Sequence, residues 1–316
     1  MRHSLRLLSL ASAASALLLS AFAATGVGAA STASYSHDST QNLPYHGGAV
    51  MHHPTVYPIF WLPAGSHFHE PDNSNADGNY EDLVVQFLND LSGSDFYSLV
   101  TQYHDRKGRI QNTFDTNDGV VDDTPYLQGR GSLDNPLTSA DLHAEIQRVI
   151  ADQQWDNPPG EAMFLVYTAY NIQTCTRPGD PTKNIPPHCT YHPGTKGGFC
   201  GSHNWFRQSG VTYIYSVIAD LPVACQKVER GLTDDSAPNS DARGDIAVNV
   251  TSHELFESLT DPYSNAWAAS DTQEIGDKCA SSFGAIADDG GDVVLNGDSY
   301  ILQSEWSNSA GHCVIG

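Results

Sequence analysis

The stretch DIAVNVTSHELFESL, residues 245–259, decides how this chain is read. Ile246, Val250, Leu255 and Leu259 recur at helical spacing, so the segment predicts a helix with one apolar side. His253 and Glu257 are four apart and project from the same face, one turn from each other. Working outward, Ala162 to Tyr170 (AMFLVYTAY) and Val211 to Ala219 read as strands, the first of them central. Val56 to Leu62 (VYPIFWL) reads as a third, with Pro58 favouring an edge or a bulge. Tyr80 to Leu91 and Ser139 to Trp155 have amphipathic helical spacing, the latter capped by Thr138 or Ser139, and Asp95 to Tyr103 predicts a short helix. Residues 105–137 read as strand and loop, 171–202 as a long loop rich in Pro, Gly and Cys, and 229–243 as a polar loop. Val293 to Leu295, the turn Asn296-Gly297 and Ser299 to Gln303 predict a hairpin.

The helical His/Glu pair carries the chemistry. In HExxH metallopeptidases one helix presents two metal ligands four residues apart, and the Glu beside the first His is the general base. Here the string is HExxE: His253 and Glu257 are the expected ligands and Glu254 the expected base. A carboxylate is a competent zinc ligand, although its charge makes the metal a weaker Lewis acid. Thermolysin-like zincins take a third ligand, a Glu, from a second helix about twenty residues further on. Glu274 lies 17 residues after Glu257 and is the expected third ligand, with Asp277 as its support or the alternate ligand. Asp261 is expected to orient His253 or to hold a structural cation. The fold class expected is α/β (α+β), a single zincin-like domain with a mixed sheet, an active-site helix and long disulfide-stapled loops.

Composition narrows the setting. The 316 residues carry 15 Lys and Arg against 37 Asp and Glu, a net charge of −22, and 40% are hydrophobic. The apolar share is enough for a large core. The charge argues against nucleic-acid partners and against docking on an anionic membrane surface. Residues 1–30 read as a secretory signal: Arg2 and Arg6, an apolar run from Leu7 to Ala24, then small residues before cleavage after Ala29 or Ala30. Its removal takes two arginines and no acids, moving the charge from −22 to −24. Residues 31–45 are expected to be a flexible leader and 46–316 a single catalytic-type domain. Secretion makes the six cysteines candidates for three disulfides. Six allow 15 pairings, and local pairing, Cys175–Cys189, Cys200–Cys225 and Cys279–Cys313, is the expectation.

The string NVTSHELFESLTDPYSNAW, Asn249 to Trp267, followed by EIGDKC, Glu274 to Cys279, resembles the phosphate-induced/EXORDIUM family. His46 to Met51 (HGGAVM) with the following VYPIFW, Phe199 to His203 (FCGSH) and Gln303 to Cys313 agree with that pattern, so the likeness spans about residues 44–316. Ala268 departs from it, since many members have Tyr after NAW. The resemblance implies an extracellular protein and supplies no reaction. It also singles out His203, in the CGxH-like segment, as an oxyanion-stabilising neighbour or a further ligand.

Other patterns carry less. His67 and His69 form an HxH pair in loop-like surroundings, and His46, His52 and His53 read as surface or packing residues. Asn73, Asn75, Asp77 and Gly78 begin like a calcium loop, but Val84 stands where the closing Glu belongs. The sequon at Asn249 falls inside the predicted helix. The expectation is therefore a secreted metal-dependent hydrolase, a zinc peptidase acting on a peptide or a cell-wall substrate, with calcium as the alternative ion. The competing expectation is a non-catalytic extracellular binding or signalling protein with a structural cation. Oligomeric state is not legible.

Overall fold

Four eight- or nine-residue strands hold the architecture together. In the computed structural model, residues 41–315 are described except 72, 128, 156–160, 180–181, 184–186, 191–197, 221–224, 226–231 and 271–272. The expected signal peptide, and residues 31–40 of the expected leader, lie outside the described residues. Those described belong to one compact unit, His37–Gly316. In chain order the elements begin β1 (Pro54–Trp61), α1 (Asp77–Leu91), α2 (Asp95–Ser98), β2 (Asp115–Thr116), β3 (Val120–Asp122), β4 (Leu137–Thr138), α3 (Ser139–Asp152) and β5 (Glu161–Thr168). There follow β6 (Thr174–Arg177), β7 (His188–Cys189), β8 (Gly201–Gln208), β9 (Val211–Ala219), α4 (Ala242–Thr260), β10 (Val293–Leu295), β11 (Asp298–Tyr300), β12 (Glu305–Ser307) and β13 (His312–Val314).

The main sheet has six strands in the order β2-β1-β5-β9-β8, with β3 also on β1. All neighbours run parallel except β8, which lies antiparallel on β9 at one end of the path. Period-2 alternation sends β5 side chains to both faces. Met163, Leu165 and Tyr167 join one buried cluster with Phe87 of α1 and Val248, Leu255 and Phe256 of α4. Phe164 and Val166 join another with Leu142, Ile146 and Val149 of α3. The fold is mixed α/β with helices on both faces. No helix among the described residues is long and apolar enough to cross a membrane.

Several local outcomes follow from side-chain chemistry. Thr138 caps α3 with a reciprocal capping box to Asp141, worth about 1 kcal/mol. Asn296 and Gly297 take positive φ, 53° and 106°, as a two-residue hairpin turn requires. The strand after it stops at Tyr300, short of Gln303. The expected short helix is α2 followed by a 3-10 turn, Leu99–Gln102. Pro58 does not put β1 at an edge. It falls between the segments paired to β2 and to β3, where its missing N–H interrupts neither ladder. The loop expected at 171–202 contains β6 and β7, which pair antiparallel and are joined by Cys175–Cys189. Cys200–Cys225 and Cys279–Cys313 are the other two disulfides. The pairing is the local one: two bridges close loops before α4 and the third closes one after it.

Candidate metal centre

Helix α4 is held at both ends by aspartates. Asp241 caps its start, accepting from the backbone N–H of Arg243 and Gly244 at 3.1 and 3.0 Å. His69 Nε2 braces that carboxylate at 3.0 Å. Beyond the far end, Asp261 Oδ1 accepts from the N–H groups of Asn265 and Ala266 at 2.5 and 2.6 Å, which folds the chain back. Asp261 is therefore a turn-forming residue whose second oxygen, Oδ2, has no hydrogen-bond partner and whose side chain lines the cavity described below. Between these ends almost every α4 residue is buried.

Two glycines let other segments close on the helix. A Cβ on Gly201, the first residue of β8, would lie 2.5 Å from Glu254 Oε1 and 2.6 Å from Val250 Cγ1. A Cβ on Gly276 would lie 2.6 Å from His253 Nδ1. Both contacts are shorter than side chains tolerate, so the absence of a side chain at each position sets the spacing of the site.

Around Glu257 the groups divide into two sets. Glu257 Oε1 lies 3.2 Å from His253 Nε2, and Asp277 Oδ1 is 3.9 Å from that same nitrogen. Glu257 Oε2 lies 3.4 Å from His203 Nδ1, and Glu254 Oε2 is 3.6 Å from it. Within each set, His253–Glu257–Asp277 and His203–Glu254–Glu257, one donor atom per residue lies within 4.8 Å of the others. Glu274 stands elsewhere than the helical spacing suggested. Its Oε1 faces His203 Nε2 at 3.6 Å, while Asp277 takes the position beside His253 and Glu257. Among the seven candidates, His203, Glu254 and Glu257 have side chains 7, 3 and 5% exposed, and Asp277 is the open one at 44%.

Three residues with little sequence signal complete the surroundings. Gln303 Nε2 bonds Gly276 O at 3.0 Å and His253 Nδ1 at 2.9 Å, and Gln303 N donates to Asn249 Oδ1 at 2.6 Å. An imidazole that offers Nε2 to a cation carries its proton on Nδ1. Gln303 meets that proton only through its carbonyl oxygen, and the half-turn that presents it gives up the Nε2 bond to Gly276 O. Asn249 stands one turn before His253, a spacing that could have flagged it; it is 3% exposed and thus closed to glycosylation in the folded chain. Glu305 is fully buried beyond Gln303, and its Oε2 is unpartnered.

Burial and crowding shape the charges. Burial first, then Glu257, Asp261 and Asp277, push Glu274 up to about 10. Burial first, then Glu257, raises Asp277 to about 6, with water at its exposed side screening part of the effect. Burial likewise raises Glu254 and Glu305. Burial would lower His203 and His253, but the facing carboxylates, Glu274 for the first and Glu257 for the second, hold both well above the usual imidazole range. Burial would raise Glu257, yet His253 and His203 keep it well below the carboxylate range. Two imidazoles thus stand among more carboxylates than they can balance.

Apart from Glu305, these side chains line a cavity of about 960 Å³ that also reaches Phe199, Asn265 and Ala269. No known family, curated protein or solved structure matches this chain. What the site can do is therefore read from its atoms. His203 Nε2, Glu254 Oε2 and Glu274 Oε1 are buried and lack hydrogen-bond partners. Leaving such an atom unsatisfied costs about 1–3 kcal/mol. Imidazole and carboxylate donors, converging with unsatisfied atoms at a cavity, fit a divalent cation.

The other histidines have separate work. His67 Nδ1 meets Asp77 at 2.8 Å, while His69 sets Nε2 on Asp241 at 3.0 Å and keeps Nδ1 3.7 Å from Asp77, so the HxH pair serves the start of α1 and the cap of α4. His52 bridges Asp105 and Glu161 at 2.9 and 3.0 Å, and His46 Nε2 meets Ala268 O at 2.8 Å. Asn73 forms a turn to the N–H of Asn75 and reaches Asp234, and Asp77 opens α1.

Proposed function

We propose that this protein is a secreted metal-dependent hydrolase, a zincin-like zinc peptidase related to the EXORDIUM-type proteins and acting on a peptide or cell-wall substrate. The observation that carries the reading is His253 and Glu257, one turn apart on α4, meeting Asp277 at the open cavity with Glu254 beside them. The assigned ligands are His253, Glu257 and Asp277, with Asp277 replacing Glu274 as the third because it faces His253. Three disulfides and the lack of a membrane-spanning helix among the described residues support an extracellular setting.

A divalent cation on these ligands supplies Lewis-acid polarisation of a substrate carbonyl and makes a nearby water more acidic. The chain provides the proton handling. Glu254 Oε2, buried and unpartnered, takes a proton from the attacking water and returns it to the leaving nitrogen. His203, kept protonated by Glu254 and Glu257 beside Nδ1, stabilises negative charge developing on the carbonyl oxygen. Gln303 orients His253 through Nδ1.

The test joins elemental analysis of the purified secreted chain with a Glu254→Gln variant assayed on a peptide library. Bound zinc in both proteins, with hydrolysis reduced by about 10²–10⁴-fold in the variant, supports the mechanism. Unchanged proteolysis in Glu254→Gln sinks it. Zinc-free protein that neither binds added zinc nor hydrolyses the library removes the metal reading altogether.

A further inference from the structure

We infer that the chain binds two cations side by side, bridged by Glu257: one on His253, Asp277 and Glu257 Oε1, the other on His203, Glu254 and Glu257 Oε2. The first is the cation of the proposed hydrolase, and the second rests on that reading. Geometry separates the two positions. The two oxygens of Glu257 face different imidazoles, at 3.2 Å from His253 Nε2 and 3.4 Å from His203 Nδ1. Each imidazole has its own additional carboxylate, and Glu257 alone belongs to both sets.

The second position has independent support. Glu254 Oε2 is 3.6 Å from His203 Nδ1 and lacks a hydrogen-bond partner, although its side chain is only 3% exposed. A carboxylate oxygen so deep in the protein calls for a donor or a cation. The far side of His203 is built for ligation as well. Its Nε2 faces Glu274 Oε1 at 3.6 Å, so Glu274 can accept the ring's remaining proton while Nδ1 serves a metal. Carboxylate, imidazole and metal in series are a recurrent way to fix a ligating histidine. Glu274 is thereby a positioning residue for the second cation.

This position also touches the chemistry of the first. Glu254 Oε2 cannot hold a cation and accept a proton at once. With a cation held there, Glu254 and His203 would both be taken out of their roles in the proposed hydrolysis.

Zinc titration of the metal-free secreted chain, followed by calorimetry and by elemental analysis after dialysis, tests this. Two equivalents are expected in the wild type. One is expected in His203→Gln, one in Asp277→Asn, and none that survives dialysis in the double variant. A cooperative thermal melt checks that each variant folds, and Glu254→Gln replaces His203→Gln if the latter does not. A single wild-type equivalent, lost in Asp277→Asn and kept in His203→Gln, overturns the second site and leaves the proposed function standing. Two equivalents persisting in both His203→Gln and Glu254→Gln overturn the ligand assignment. No bound zinc in the wild type overturns both readings.

Discussion

The two ends of α4 bury charge in opposite ways. Near its start, Arg243 is 2% exposed and its guanidinium meets Glu70 and Asp220, the latter at 3.1 Å, while His69 meets Asp241. Ten to fourteen residues further along the sequence, His253, Glu254 and Glu257 meet Glu274, Asp277 and His203, and the counter-charges facing these carboxylates are imidazoles. The only Lys or Arg after Arg243 is Lys278, whose Nζ lies 4.0 Å over the Trp306 ring. The same helix thus has one cluster served by a built-in cation and one whose donors fit a cation from outside. A buried carboxylate group needs positive charge, and how the chain provides it separates a structural cluster from a site.

The sharpest break of this contrast is Arg243→Met. It strands Asp220 and Glu70 and should lower unfolding free energy by about 3–5 kcal/mol, the usual cost of removing one partner from a buried pair. Denaturant melts measure the loss, and zinc stoichiometry at fixed folded protein should not move. A variant as stable as the wild type would show that the start of α4 does not depend on its guanidinium.

Gly201→Ala probes how closely β8 can approach the helix. The new Cβ would meet Glu254 Oε1 at 2.5 Å, so overpacking should cost about 1–3 kcal/mol and displace Glu254. Gly297→Ala strains a turn with φ of 106° but leaves open space around the new Cβ, and serves as a control at a distance from the site. Equal zinc affinity in both variants would remove Gly201 from the account of the site.

These glycines also show what was legible in the sequence. The pair His253 and Glu257, the strands β1, β5 and β9, α1 and α3 follow from periodicity and caps, and the expected local disulfide pairing is the one found, whereas the parallel order of the strands was not legible. Strand β8 did not, because GSHNWFRQ lacks apolar alternation: it pairs on one side only, and most of its residues keep some exposure. The partners of His253 were equally hidden. Gln303 and Gly276 lie 50 and 23 positions away by residue number, and no helical or strand period links them to α4. Glu274 and Asp277 were both visible as acids, but choosing between them needed the 3-10 turn at Asp277–Cys279, which sets their directions.

Glu274→Gln is a milder test with two opposite readouts. Burial and its acidic neighbours push Glu274 up to about 10, so at pH 7 the cation-free chain already carries it neutral. Glutamine preserves its shape and that charge, so stability without zinc should change by less than about 0.5 kcal/mol. Glutamine still accepts from His203 but cannot ionise, and losing the carboxylate behind the ring should weaken the second zinc equivalent by about 10–100-fold. Calorimetry and thermal melts on one protein batch give both numbers. A large loss of zinc-free stability would mean that Glu274 is charged and paired inside the fold.

The same contrast predicts a reversal of pH dependence. Burial, the largest influence on each, raises Asp220, Asp245 and Glu145 to about 7. Asp220 faces Arg243, Glu70, His69 and Asp241; Asp245 faces Asn239, Asp241 and Asp234; Glu145 faces Arg148, Asp122 and Asp152. A carboxyl group that is more basic folded than unfolded binds its proton more tightly in the native state. Its stabilising effect is complete below the unfolded value of about 4 and fades as pH rises through 7. His69, also raised by its acidic neighbours despite burial, acts in the same direction. Zinc-free protein should therefore gain stability from pH 8 to pH 5.5. Zinc binding has the opposite slope, because protons compete with the metal for imidazole and carboxylate. The thermal shift caused by zinc should shrink over the same interval. A zinc shift that grows on acidification would break the assignment of histidine ligands, and a zinc-free melt that falls would place the raised carboxyls outside the folded core.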